Sequence, residues 1–186
     1  FNIMALDKGL EVEMIPSKQS NNLYMFDAVD ATLCYAYNEY IQLLLSKGEI
    51  AEEQTVRLSD LGYNYPEDGL YVMEDWLKGH ANAAARFVRA TMRGWKYCRN
   101  YPDKALDIVM KYVHENNIVT SYIHQKMMLE EMLRQQVNPK TNKVDFQYVS
   151  RELFDEIANK MRQCGMFEQP VTYDELIHPL NVVNQQ

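Results

Sequence analysis

The chain has little of what breaks, staples or threads a fold. Its seven glycines and six prolines are scattered over 186 residues, and no tract rich in either interrupts it. That argues against disorder away from the ends, and 47% apolar residues suffice for one core or two small lobes. Cysteine is scarce: Cys34, Cys98 and Cys164 stand far apart and show no CxxC or Cys/His metal spacing. An odd count leaves at least one thiol outside any intramolecular disulfide, and three small buried hydrophobes is the better reading. No apolar run reaches the ~18 residues of a membrane-spanning helix. No basic n-region or cleavage pattern opens the chain, which leaves export undecided.

Basic excess is also missing. The formal charge of -7 argues against a nucleic-acid surface, which needs a basic stripe. The densest basic stretch, Arg86, Arg89, Arg93, Lys96 and Arg99, follows helical spacing and reads as the wet face of a helix.

What the chain does have is a change of character along its length. "FNIMALDKG" reads as a short helix stopped by Gly9. "EVEMIP" alternates Val12 and Met14 against Glu11 and Glu13, the pattern of a strand that Pro16 ends. Ser20 is placed to cap one or two helical turns in "SNNLYMF". "DATLCYAY" reads as a buried strand, and "NEYIQLLLSKG" as a helix closed by Gly48. "QTVRLSDLG" and "GLYVMED" are two further strand candidates, joined by "YNYPED". Strands alternating with helices over short connections predict parallel pairing and an α/β sandwich over residues 1–74. From residue 75 to 186 the periodicity is helical, with Pro102 in the first turn of one helix and Gly165 just past the end of another.

The densest chemistry lies in "YAYNEY", where Tyr35, Tyr37, Asn38 and Glu39 fall where a predicted strand passes into a helix. Ligands of open parallel sheets sit at such places. A carboxylate accepts two hydrogen bonds from an amino-substituted heterocycle, and a tyrosine face stacks on its ring. The other reading has Tyr35 and Tyr37 in the core, with Glu39 capping its helix by charge–dipole attraction. A second cluster, Tyr63, Tyr65, Glu67 and Asp68 between Gly62 and Gly69, is either a cleft wall or an ordinary loop. His80, His114, His124 and His178 form no metal pair, and no GxSxG, HExxH or Walker pattern occurs. The residues therefore supply no nucleophile with its base, and no catalytic residue, metal or cofactor is expected.

Three segments taken together carry a family resemblance: "FDAVDATLCYAYNEYIQLLLSKG", "LSDLGYNYPEDGLYVMEDWL" and "AAARFVRATMRGWKYCRNYPDKALDIVMKY". They resemble the thiamine-pyrimidine type of periplasmic substrate-binding proteins of ABC transporters, a family shared with the yeast enzyme that makes the thiamine pyrimidine. The most specific parts are "AVDA" followed by "NEY", the G-x-N-x-P-E-D-G loop, and F-V-R-A-x-x-x-G-W-x-Y followed by P-x-x-A-x-x-I-V.

The resemblance implies part of a type II periplasmic-binding-protein fold, two α/β lobes closing on a ligand, with a helical C-terminal half. Residues 1–74 would supply most of the second lobe and its crossover strands, while the family's first lobe has no counterpart here. Helices beyond residue 75 would pack on that lobe or on a partner, and the apolar face left open would permit a homodimer. By the same resemblance Glu39, Tyr37 and Asn38 match the cleft motif, Tyr35 accompanies them, and Tyr63 lies near the hinge. The implied function is capture of a thiamine pyrimidine precursor or a related nitrogen heterocycle for an ABC permease, in the periplasm or as a cell-surface lipoprotein. The alternative, a hydroxymethylpyrimidine phosphate synthase-like enzyme, depends on a cysteine-rich iron motif that this sequence does not show.

Overall fold

The structure is a computed structural model that describes residues 1–17, 20–66, 68–138, 141–144, 149–169 and 171–178. It is mostly helical, in the order α1 (Asn2–Lys8), α2 (Asn22–Met25), α3 (Glu39–Lys47), α4 (Glu74–Asn100), α5 (Pro102–Glu115) and α6 (Tyr122–Gln135), then α7 (Arg151–Gln163) and α8 (Tyr173–Leu176). Two short strands, β1 (Val137–Asn138) and β2 (Lys143–Val144), pair antiparallel between α6 and α7, with Val137 opposite Val144.

The helix ends follow from side chains close by. Gly9 takes φ +62° after α1, the left-handed conformation that glycine adopts without a Cβ penalty. The Ser20 hydroxyl accepts a hydrogen bond from the Asn22 N–H at 3.2 Å at the entry to α2. Pro102 occupies the first turn of α5, where no N–H is needed. Ser121 accepts from the His124 N–H at 3.2 Å to open α6, and Ser150 accepts from the Leu153 N–H at 3.2 Å to open α7. In α4, His80 leaves helical geometry (φ -135°), and its Nδ1 lies 2.8 Å from the Trp76 carbonyl oxygen.

The strands expected at residues 11–16, 30–37, 54–62 and 69–75 are not formed. β1 and β2 are the sheet among the described residues, and both lie outside those segments. A strand exists only against a neighbour about 4.8 Å away, and the described chain lays none beside these stretches. Instead, Tyr35 to Asn38 close a turn in which the Asn38 and Tyr40 N–H groups donate to the Tyr35 carbonyl at 3.1 and 3.2 Å. Leu58–Leu61 winds into a 3-10 turn that Gly62 ends at φ +90°.

Two compact units result, each drawn from separate stretches of chain. The first comprises Phe1–Met14, Val56–Thr91 and Gln147–Gln186, and the second Ile15–Thr55 and Met92–Phe146. In the second unit α6 packs against α3 and α5. Ile41 and Leu43 of α3 and Ala105, Leu106 and Val113 of α5 are its buried apolar side chains among the described residues. Arg99 fastens the end of α4 there by donating to the Leu133 carbonyl at 3.0 Å and the Gln136 side chain at 3.1 Å.

In the first unit Ile3 of α1 is buried. Leu153, Phe154, Ile157, Ala158 and Met161 form the half-buried side of α7, following its helical period. Phe154 meets Tyr173 of α8 edge to face, with ring centroids 5.6 Å apart. Leu70, Tyr71, Val72 and Met73 in the same unit are all exposed.

Candidate functional site

Glu39 is the organising residue of the second unit's N-terminal half. It opens α3, where its negative charge complements the helix dipole, yet the residue is only 7% exposed. Burial of a carboxylate requires donors, and the neighbouring turn supplies them. The Tyr35 N–H donates to Oε2 at 3.1 Å, and the Asn38 amide donates to Oε1 at 3.2 Å. Gln42, one turn further along α3, donates to the Asn38 side-chain oxygen at 3.2 Å. A carboxylate offers about four acceptor positions, so among the described residues these two bonds to the side chain leave part of its capacity unused.

Behind the turn stands Asn21, which the sequence reading passed over. It is buried, donates to the Glu39 backbone carbonyl at 2.9 Å and accepts from the Cys34 thiol at 3.6 Å. Burial pushes the Cys34 thiol above its ordinary value; the Glu39 charge adds to that and a hydrogen bond with Thr32 opposes it. An asparagine ahead of a short apolar run is a helix-cap signal, and Asn21 does sit in the N-cap position of α2. Its reach across 18 positions to Glu39 has no local signature.

The product of this bracing is an aromatic pair. The Tyr35 and Tyr37 rings stack 5.4 Å apart at an interplanar angle of 19°, with Tyr35 exposed and Tyr37 half-buried. Tyr35, Tyr37, Asn38 and Glu39 are therefore brought together, within one turn. Alongside, an open recess of about 300 Å3 is lined by Ser20, Asn21, Asn22, Met25, Phe26, Gln42, Leu43 and Ser46.

Tyr63 belongs to the first unit and keeps different company. Lys160 of α7 bonds to Asp7 of α1 at 2.9 Å, and its ammonium lies 5.7 Å from the centre of the Tyr63 ring. The Tyr63 ring also meets that of Tyr65 at 6.5 Å, edge to face. Asp68 is exposed, and Glu67 lies outside the described residues. A groove of about 500 Å3 in this unit runs between α7 and a wall of Phe167 and residues 171–174, but none of the residues singled out from the sequence lines it. Arg151 at its rim is engaged by Asp174 at 2.6 Å and lies 4.5 Å from the centre of the Tyr173 ring.

The remaining candidates separate. His80 stacks on Trp76 with ring centroids 4.6 Å apart. His124 Nδ1 lies 3.1 Å from the Thr120 hydroxyl, and its Nε2 is buried without a partner among the described residues. The three cysteines are free and half-buried. Among the described residues no group of three or more His, Cys, Asp or Glu is arranged to hold a metal ion, and no helix is long and apolar enough to cross a membrane.

The tyrosine turn, with its braced carboxylate, lies inside the stretch that known proteins share. The chain belongs to the family described as NMT1/THI5 like, whose family model matches residues 6–105. Over 147 residues, 79% of this chain, it is 27% identical to the riboflavin-binding protein RibY of Chloroflexus aurantiacus. The chain spans 40% of that relative's length. No solved structure matches it.

Proposed function

We propose that the protein is a solute-binding component of an ABC importer and that its ligand is a planar nitrogen heterocycle. The observation that carries this is the Tyr35–Tyr37 stack, held open beside a carboxylate by the Asn21–Glu39–Asn38 network. Stacked, half-exposed rings offer a large, rigid face at low entropic cost, which suits a flat aromatic ligand. Tyr35 and Tyr37 contact the ring, Asn38 and Glu39 fix the turn, and the unused acceptor capacity of Glu39 takes the ligand's donor edge.

Membership of the NMT1/THI5 like family supports a solute-binding role, within which a thiamine pyrimidine precursor is one ligand class of this reading. The relative named for riboflavin binding widens the class to fused nitrogen rings. Both are heterocycles with donor edges and flat faces. In this reading Tyr63 belongs near the hinge of a two-lobe periplasmic-binding fold that closes over its ligand. The protein releases the ligand unchanged to a permease, outside the cytoplasmic membrane. The exposed run from Leu70 to Met73 would lie against a second copy or a further lobe.

The test is a thermal-shift titration with riboflavin, lumichrome and an aminopyrimidine thiamine precursor, with Tyr37→Leu alongside. At 100 times the dissociation constant a true ligand raises stability by about 2.7 kcal/mol, or roughly 5–10 °C in Tm. At least one heterocycle is expected to shift the protein and to lose that shift in Tyr37→Leu. No shift with any of the three would overturn the reading.

A further inference from the structure

The recess beside the tyrosine turn has a chemistry of its own. None of its eight lining side chains is ionisable: Ser20, Asn21, Asn22, Gln42 and Ser46 are neutral and polar, and Met25, Phe26 and Leu43 are apolar. In a chain with 24% charged residues, such a lining gives an anion or a cation no counter-charge. At about 300 Å3 and open to solvent, it has room for a small group or for one arm of a larger ligand.

The recess also shares walls with the site above. Asn21 and Gln42 line it, and each is bonded to the tyrosine turn, Asn21 through the Glu39 carbonyl and Gln42 through the Asn38 side chain. Those amides are committed to the turn. The side chains of Asn22 and Ser46 make no hydrogen bond among the described residues and both residues are exposed, and the Phe26 ring is 79% exposed beside them. Amides and hydroxyls exchange hydrogen bonds with a ligand's hydroxyl groups, while an aromatic face packs on its C–H groups.

We propose that this recess is a subsite for a neutral polyhydroxylated group, a linear polyol or a sugar-like arm, separate from the ring platform of Tyr35 and Tyr37. The proposal rests on the reading of that platform when both parts belong to one ligand. The subsite itself is testable without it.

Ribitol alone probes the recess. In a 1H–15N titration, saturable shifts are expected at Ser20–Phe26 and Gln42–Ser46, and the exposed substitutions Ser46→Leu and Asn22→Leu should abolish them. Riboflavin against lumichrome, which lacks the polyol arm, then tests the linkage. Riboflavin should bind about tenfold tighter or more, the scale of two or three neutral hydrogen bonds, and Ser46→Leu should erase that difference while leaving lumichrome binding unchanged. Absence of ribitol shifts in the folded wild type, or the same shifts in Ser46→Leu, overturns the subsite. Ribitol shifts without lumichrome binding keep the subsite and sink the ring platform.

Discussion

The Lys160 ammonium and the Asp7 carboxylate meet at 2.9 Å although 153 positions separate them, so α7 and α1 are tied by one half-buried ion pair. The Lys160 hydrogen bond is the main influence holding the Asp7 carboxyl below the usual aspartate range, with burial opposing it. A folded-state value below the unfolded one means that this contribution is present above the unfolded value of about 3.9. It is lost as the pH falls through the lower folded value. Asp7→Asn is therefore expected to lower Tm at neutral pH and to converge with wild type as the pH falls through the lowered folded value. Thermal melts from about pH 2 to about pH 8 measure the difference, and a constant gap across that range would contradict it.

Tyr63 shifts the opposite way. Burial raises its phenol above the ordinary value, and the Asp7 charge and hydrogen bond raise it further. Lys160 is raised too, mainly by its bond to Asp7. Both contributions are complete below the unfolded values near about 10 and are lost as the pH climbs through the folded ones. A difference absorbance titration of wild type against Tyr63→Phe should show one phenol ionising later than the bulk. Coincident curves would remove Tyr63 from the cluster.

Glu39→Ala leaves the Tyr35 N–H and the Asn38 amide without their carboxylate acceptor in a part-buried turn. The expected loss is about 1 kcal/mol, the scale of a part-buried hydrogen-bond pair that water can partly replace. Urea unfolding gives the value, and the near-ultraviolet dichroism of the Tyr35–Tyr37 pair should weaken with it. A change below about 0.5 kcal/mol would mean that water replaces the carboxylate at no cost.

Leu106 is 2% exposed, in an α5 that packs against α6. Truncation to alanine removes buried methyl groups and leaves a cavity, an expected cost of about 2–5 kcal/mol. Because the second unit has few other buried apolar side chains among the described residues, Leu106→Ala should cost more than the same change at exposed Leu61. Paired urea melts decide the order.

Ser121 and Ser150 each satisfy one backbone N–H at the start of a helix. Replacing either by alanine is expected to cost about 1 kcal/mol, and replacing both should be additive, since they open α6 and α7 in different units. Strong non-additivity in a double-mutant cycle would contradict that independence.

By itself the sequence determined most of the longer helices and several of their ends, although α4 begins at Glu74 inside a segment that reads as a strand. Proline at the first turn of α5, serines ahead of α6 and α7, and glycines after α1, α3 and α7 act within a few residues, as does the 3.6-residue period of α7. It also picked out Tyr35, Tyr37, Asn38 and Glu39 as one group, because a turn brings neighbours together whatever else the chain does. Tertiary structure decided the rest. "EVEMIP" and "DATLCYAY" alternate like strands, but a ladder needs a second strand that no local pattern supplies, so both remain without one. Asn21 beneath Glu39 and Lys160 against Asp7 are contacts across 18 and 153 positions, and only the folded chain sets which distant donor meets which acceptor. Tyr63 shows both sides: the sequence marked it beside Gly62, and packing gave it Asp7 and Lys160 as its company.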